Sequence, residues 1–97
     1  MKVQELIEEK YKNFIKFIQI KYPENNEIEK MKNINIKLVI EYLKNSIYPY
    51  RNDPEMLMLN ISDEYKINLK EFSDDETIKL KKYMKFFIEM IEEVYNN

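Results

Sequence analysis

The sequence predicts an all-α protein: a single compact bundle of four to five helices, three of them long, with residues 1–97 forming one domain. Three observations carry that expectation. Apolar residues recur at steps of three and four over residues 3–22, 36–47 and 74–95, the spacing that lines one face of an α-helix. Helix-start chemistry stands at Asp53 and at Ser73. No two stretches read convincingly as strands that could pair with each other, and an unpaired strand is not stable.

The first helix carries Val3, Ile7, Tyr11, Phe14, Ile18 and Tyr22 on one face, with Leu6, Phe17 and Ile20 widening it. It must stop near Lys21, because Pro23 disfavours helical geometry at Tyr22. Pro23 then suits the first turn of a short second helix bearing Ile28 and Met31. The stretch "NINIKLVI" admits two readings. From Asn33 to Leu38 it alternates like a half-buried strand, while Ile36, Ile40, Leu43 and Ile47 step helically. The helix is preferred, with Asn33 or Asn35 as its cap. Leu38, Val39 and Tyr42 add apolar surface on its other sides, which predicts a position in the middle of the bundle.

Residues 48–59, "YPYRNDPEMLML", read as a connection between helices. Pro49 ends the preceding helix and pushes Tyr48 into an extended conformation. Asp53, Pro54 and Glu55 then form a helix start: a capping carboxylate, a proline at the first position and an acid at the positive end of the dipole. Met56, Leu57, Met58 and Leu59 are expected to be its buried turns. Residues 61–72 fit a helix through Ile61, Tyr65, Leu69 and Phe72, or a strand through Tyr65, Ile67 and Leu69; irregular or short helical structure is expected there. Ser73 and Glu76 stand at capping-box spacing. Leu80, Met84, Phe87, Ile91 and Val94 or Tyr95 follow as the clearest helical stripe, a helix of roughly 33 Å at ~1.5 Å per residue.

Composition restricts the chemistry. The chain is 44% hydrophobic and 35% charged with a net charge of −2, a globular balance without the positive excess of a protein that holds nucleic acid through its phosphates. It has no cysteine and no histidine, which removes disulfides, the usual nucleophile–base pairs and most transition-metal sites. It has no glycine either, so no phosphate-cradling loop of the familiar glycine-rich kind. Asp74, Asp75 and Glu76 could hold a hard cation, but such acids ordinarily cap a helix. The sequence therefore predicts no catalytic residue, no cofactor and no metal. No apolar stretch approaches the ~20 residues that span a bilayer. The opening "MKVQELIEEKYK" is charged where a signal peptide is apolar, and an intracellular location is expected. Lysine, asparagine, isoleucine and tyrosine, all encodable without G or C, dominate the composition in the manner of an AT-rich genome.

Two surfaces are candidates for a partner. Tyr48, Tyr50 and Arg51, the only arginine, sit on a proline-stiffened loop, and tyrosine and arginine are favoured interface anchors. In the other reading their rings pack over the end of the bundle and Arg51 pairs with Asp53 or Glu55. Lys79, Lys81, Lys82 and Lys85 form the one local basic cluster, a nucleic-acid or anionic-membrane contact or else a solvated face balanced by Glu89, Glu92 and Glu93. The six methionines suit core packing where alanine and glycine are missing, or an adaptable groove. The leading functional expectation is a non-enzymatic protein-interaction module, and the alternative is a nucleic-acid-binding protein using the lysines.

The succession of "FIKFIQIKYPEN", "IKLVIEYL" and "SIYPYRNDPEMLML" resembles a family of small uncharacterised proteins of giant and other large eukaryotic DNA viruses. In that family an amphipathic opening helix ends in an aromatic–proline pair, and a tyrosine–proline–tyrosine turn precedes a short, acidic, apolar helix. The likeness covers roughly residues 11–60. Other members are richer in phenylalanine where this chain has Met56, Leu57, Met58 and Leu59, and their turn stands further from that run. The resemblance implies a viral source and assigns no catalytic residues.

Overall fold

A computed structural model describes residues 2–96. The first helix, α1 (Val3–Lys21), runs antiparallel to the last, α5 (Asp74–Asn96). Lys21 at the end of α1 meets Glu76 at the start of α5, with Nζ 3.1 Å from Oε1. Further back, Phe14 and Tyr11 lie edge-on or tilted against Phe87, at 5.9 and 6.1 Å between ring centroids. A third segment crosses both helices: α3 (Ile36–Tyr42), prolonged as a π-helical turn (Leu43–Ile47) and a 3-10 turn (Tyr48–Tyr50). The short α2 (Asn26–Met31) packs on α1 and on α4 (Pro54–Tyr65), and a 3-10 turn (Leu69–Glu71) leads into α5. No strand occurs among the described residues. The all-α bundle read from periodicity is the observed architecture.

Where the sequence offered a cap, the cap is made. Asn35 Oδ1 accepts from the Lys37 N–H at 2.8 Å, which starts α3 and resolves "NINIKLVI" as loop then helix. Asp53 Oδ1 accepts from the Met56 N–H at 3.2 Å, with Pro54 in the first turn. Ser73 and Glu76 form the reciprocal box: Glu76 N–H donates to Ser73 Oγ at 3.1 Å, and Ser73 N–H donates to Glu76 Oε1 at 2.8 Å. That backbone N–H, seconded by Lys21, holds the Glu76 carboxyl below its ordinary range. Each such cap satisfies an N–H that the helix itself leaves unpaired.

Four expectations need correction. Pro23 lies before α2 rather than in its first turn, because Asn25 is the cap and accepts from the Ile28 N–H at 3.1 Å. Tyr48 stays helical at φ −58°, ψ −39° despite Pro49. The π turn widens the helix there, with the Tyr48 N–H bonded to the Leu43 carbonyl, which relieves the clash a proline ring makes with the turn behind it. The Ser46 carbonyl takes a bond from Asn60 Nδ2 at 3.3 Å, part of the backbone polarity met from α4.

The third correction concerns α3, which is not buried on all sides. Leu38 is 58% exposed while Val39, Ile40, Leu43 and Ile47 are buried, because α1 and α5 cover only one flank. Fourth, Ile20, Met56 and Leu59 are exposed, and Met58, Phe17 and Leu6 only half-buried. Ile20 and Leu59 each follow a buried residue by two positions (Ile18 and Leu57), roughly 200° around a helix of ~3.6 residues per turn. The stretch 61–72 is short helical and irregular structure as expected, α4 continuing to Tyr65 along a buried row of Leu57, Ile61 and Tyr65 before the turn and the 3-10 segment.

The end of α4 shows what a chain without glycine does at a helix terminus. Lys66 adopts the left-handed conformation at φ 54°, ψ 51°, and the Ile67 N–H reaches back to the Ser62 carbonyl at 3.1 Å. This is a Schellman closure, with Ile67 buried as its apolar contact. The alternation that imitated a strand is this turn. Asn25 braces it from α2, donating from Nδ2 to the carbonyls of Tyr65 at 2.9 Å and Lys66 at 3.1 Å. Tyr22 Oη braces the next turn, accepting from the Asn68 N–H at 3.0 Å and donating to Glu71 at 2.7 Å.

The buried residues form one continuous core drawn from all five helices, and no polar or charged residue is among those described. Its polar atoms are tyrosine hydroxyls. Tyr11 Oη and Tyr65 Oη are 3.0 Å apart and share a hydrogen bond, and the Tyr42 ring stands edge-on to Tyr65 at 6.0 Å. Burial pushes Tyr11 up to about 12, and raises Tyr42 and Tyr65 further.

These shifts fix a sign. In the unfolded chain tyrosine ionises near ~10, while the fold holds these phenols protonated, so native stability is fully present below pH ~10 and is lost as pH rises from there toward 12 and beyond. The expected slope is about 1.4 kcal/mol per pH unit for each such tyrosine; urea midpoints measured between pH 8 and pH 11.5 check it, and a flat profile contradicts it. Asn25→Ala removes a cap and two bonds that join α2 to α4, and is expected to cost about 2 kcal/mol in the same assay.

Candidate functional site

The structure separates the two clusters picked out by sequence and recombines their members. Tyr48 is half-buried, its ring 5.2 Å from that of Tyr95 on α5. The Arg51 guanidinium lies over the Tyr48 ring at 4.2 Å, and its Nη1 donates to the Tyr48 carbonyl at 3.0 Å. Arg51 thus engages Tyr48 and not Asp53 or Glu55. Tyr50 turns away from both, into a small polar hollow of about 210 Å³ with Asn60, Asp63 and Glu64. The "YPYR" segment is therefore no single three-residue anchor; its members serve different surfaces.

The lysines of α5 also divide. Lys81 and Lys85, one helical turn apart, flank a groove between α4 and α5, and Arg51 stands at its rim beside Pro54. The floor is apolar: Leu57 and Met58 from α4, Met84 and Ile88 from α5, with Glu89 at one end. The groove measures about 450 Å³, within the roughly 300–1,000 Å³ usual for binding pockets. Lys79 and Lys82 face another hollow, of about 310 Å³, with Lys10 of α1 and the rings of Tyr83 and Phe86. There Lys10 Nζ lies 4.9 Å from the Phe86 centroid, and Lys79 Nζ lies 5.0 Å from that of Phe17.

Among the described residues the ion pairs are Lys12–Glu8, Lys21–Glu76, Lys30–Glu27 and Lys32–Glu29. Like Lys16, Lys37, Lys44, Lys66 and Lys70, none of Lys10, Lys79, Lys81, Lys82, Lys85 and Arg51 has a described carboxylate within 4.0 Å. Glu89, Glu92 and Glu93 follow on α5 but do not neutralise the lysines by contact. Glu5, Glu8 and Glu9 of α1 line a separate hollow with Lys12. A chain of net charge −2 thus carries a cationic waist.

Asp74 and Asp75 lie exposed in the first turn of α5. No group of three metal-ligating side chains converges among the described residues, and no described helix is long and apolar enough to cross a membrane. Sequence reasoning missed Lys10, whose distance from residue 79 in the chain hides its proximity in space. It also assigned Met58 to the buried core, whereas it is half-buried and lines the groove. The spacing of Lys81 to Lys85 and of Met84 to Ile88, four residues each, was the available signal for a two-row surface.

The tyrosine packing has a measurable consequence. Tyr48→Ala loses the Tyr95 and Arg51 contacts together and is expected to destabilise the fold by about 1–2 kcal/mol. Arg51→Ala removes an exposed stack and one hydrogen bond and is expected to cost under about 1 kcal/mol. Thermal unfolding of both variants checks the order; a larger loss in Arg51→Ala would make the arginine, and not the tyrosine, the packing residue of the pair. No protein-family model matches the chain, and neither the curated proteins nor the solved structures compared with it give a match.

Proposed function

We propose that the chain is a small non-enzymatic protein-interaction module. The observation that carries this reading is the α4–α5 groove, an apolar floor rimmed by three cations that have no carboxylate within 4.0 Å among the described residues. Apolar concavities edged by unsatisfied charge are what a folded partner covers, the floor supplying affinity and the rim orientation. The absence of histidine and cysteine from the sequence supports a binding role over catalysis. The resemblance of residues 11–60 to proteins of large DNA viruses supports a viral structural or host-directed accessory role, inside the host cell or virion.

A second reading, nucleic-acid binding, is favoured by the other hollow. Lys10, Lys79 and Lys82 stand among aromatic rings with no acid in its lining, the pairing of charge and stacking surface that single-stranded nucleic acid uses. Salt separates the two. On the module reading, a mobility shift with a single-stranded oligonucleotide is expected to show no complex at about 150 mM salt. A complex whose affinity falls on a log–log salt plot with a slope near −2, about −0.7 for each of three phosphates neutralised, and which Lys10→Glu with Lys82→Glu abolishes, would establish the second reading instead.

A further inference from the structure

The geometry points to an acidic amphipathic helix as the occupant of the groove between α4 and α5, a deepening that rests on the interaction-module reading. Along α5 two rows run side by side. Ile88, half-buried, and Met84, 2% exposed beneath it, form an apolar row on the floor, and Lys81 and Lys85 form an exposed cationic row on its edge. Both repeat at four residues, a rise of about 6 Å along the helix. A second helix laid in the groove presents rows of the same pitch, so apolar residues at i, i+4 and i+7 seat on the floor while carboxylates one step around its surface meet the lysines. Arg51 continues the positive edge on the α4 side. With three cations against one acid, Glu89, the rim is complementary to an acidic face and repels a basic one.

The floor supports the same occupant. Met58, half-buried at the groove, contributes a side chain that re-packs around differently branched partners. The concavity is open to solvent rather than enclosed, so it leaves one side of a ligand uncovered. Small molecules held by proteins are mostly buried, whereas a helix docks with its outer face wet. Leu57 sits beneath the groove in the core, 8% exposed, and ties the floor to the rigid body of the bundle, so little ordering is needed on binding.

The test uses the full 97-residue chain and synthetic, fluorescently labelled helical peptides of about four turns. One carries leucine at i, i+4, i+7 and i+11 with glutamates beside them; in the second the glutamates are glutamine, in the third lysine. Anisotropy titrations at about 150 mM salt are expected to show binding of the glutamate peptide, at least about tenfold weaker binding of the glutamine peptide and none of the lysine peptide. Lys81→Glu combined with Lys85→Glu is expected to invert that order. Both sites are exposed, and circular dichroism verifies that the variant is folded. Backbone amide shifts on titration should concentrate at residues 55–58 and 81–89. Equal binding of the glutamate and glutamine peptides through those same amides overturns the acidic partner and leaves the module reading standing. Absence of any peptide binding, or an order unchanged by charge reversal, overturns the groove as the site. If a single-stranded oligonucleotide instead saturates the chain at the same salt and shifts amides along 79–86, the module reading falls with it.

Discussion

One hydrogen bond between two buried phenols sets the registration of this bundle. Tyr11 on α1 and Tyr65 at the end of α4 are 54 positions apart in sequence, and their hydroxyls meet at 3.0 Å. The core around them is otherwise a set of aliphatic and aromatic side chains that would tolerate sliding past one another. Hydrophobic burial is non-directional and fixes compactness more firmly than alignment. A hydroxyl stranded in such a core loses its bonds to water without replacement, so the two tyrosines must face each other. Once they do, α4 has one position relative to α1. Phe14, with its ring 5.4 Å from Tyr65 and 5.9 Å from Phe87, then locks α5 into the same frame.

The composition makes this arrangement necessary as well as available. A chain without glycine or alanine has no small residue with which to bring helices close, so its interhelical gaps are filled by rings and branched chains. Aromatic pairs in edge-to-face geometry run through the centre of the bundle, where their preferred orientations add directionality to packing. The missing glycine has a second effect at Lys66, where an ordinary residue takes a left-handed conformation at a cost of about 1 kcal/mol. The Schellman bonds, Ile67 burial and the clasp from Asn25 offset that cost.

The same rigidity organises the surface. The π turn at Leu43–Ile47 lets Pro49 be accommodated without breaking the segment, so Tyr48 and Arg51 leave it in a fixed direction, toward Tyr95 and toward the groove. Arg51 reaches the lysines of α5 because the long third segment crosses that helix. The cations repel one another at that edge and find no acid at contact distance among the described residues. Repulsion of this kind is tolerated at the surface, where water screens it, and it is the part of the structure that a partner of opposite charge would relieve.

Local chemistry decided a good deal of this protein in advance. Helix placement followed from periodicity at α1 and α5, and the starts of α3, α4 and α5 followed from Asn35, Asp53 and Ser73, since a cap acts within three residues of itself and needs nothing distant. Helical phase could be counted from sequence, but which side of each helix would be covered could not. Leu38, Ile20 and Leu59 have the same apolar character as their buried neighbours and differ only in where the other helices lie. The π turn and the Schellman turn were likewise decided by tertiary packing: Leu43, Ile47 and Ile67 had to reach the core, and the backbone bent to let them. The candidate surface shows the division most clearly. Arg51 and the lysines of α5 were each legible as charges, but the groove that joins Arg51 to Lys81 and Lys85, and the hollow that joins Lys79 and Lys82 to Lys10, exist only once α5 has packed on α1 and on the segment that leads to Arg51. Attraction and repulsion between charges depend on distance through space, and a sequence fixes that distance only along the chain.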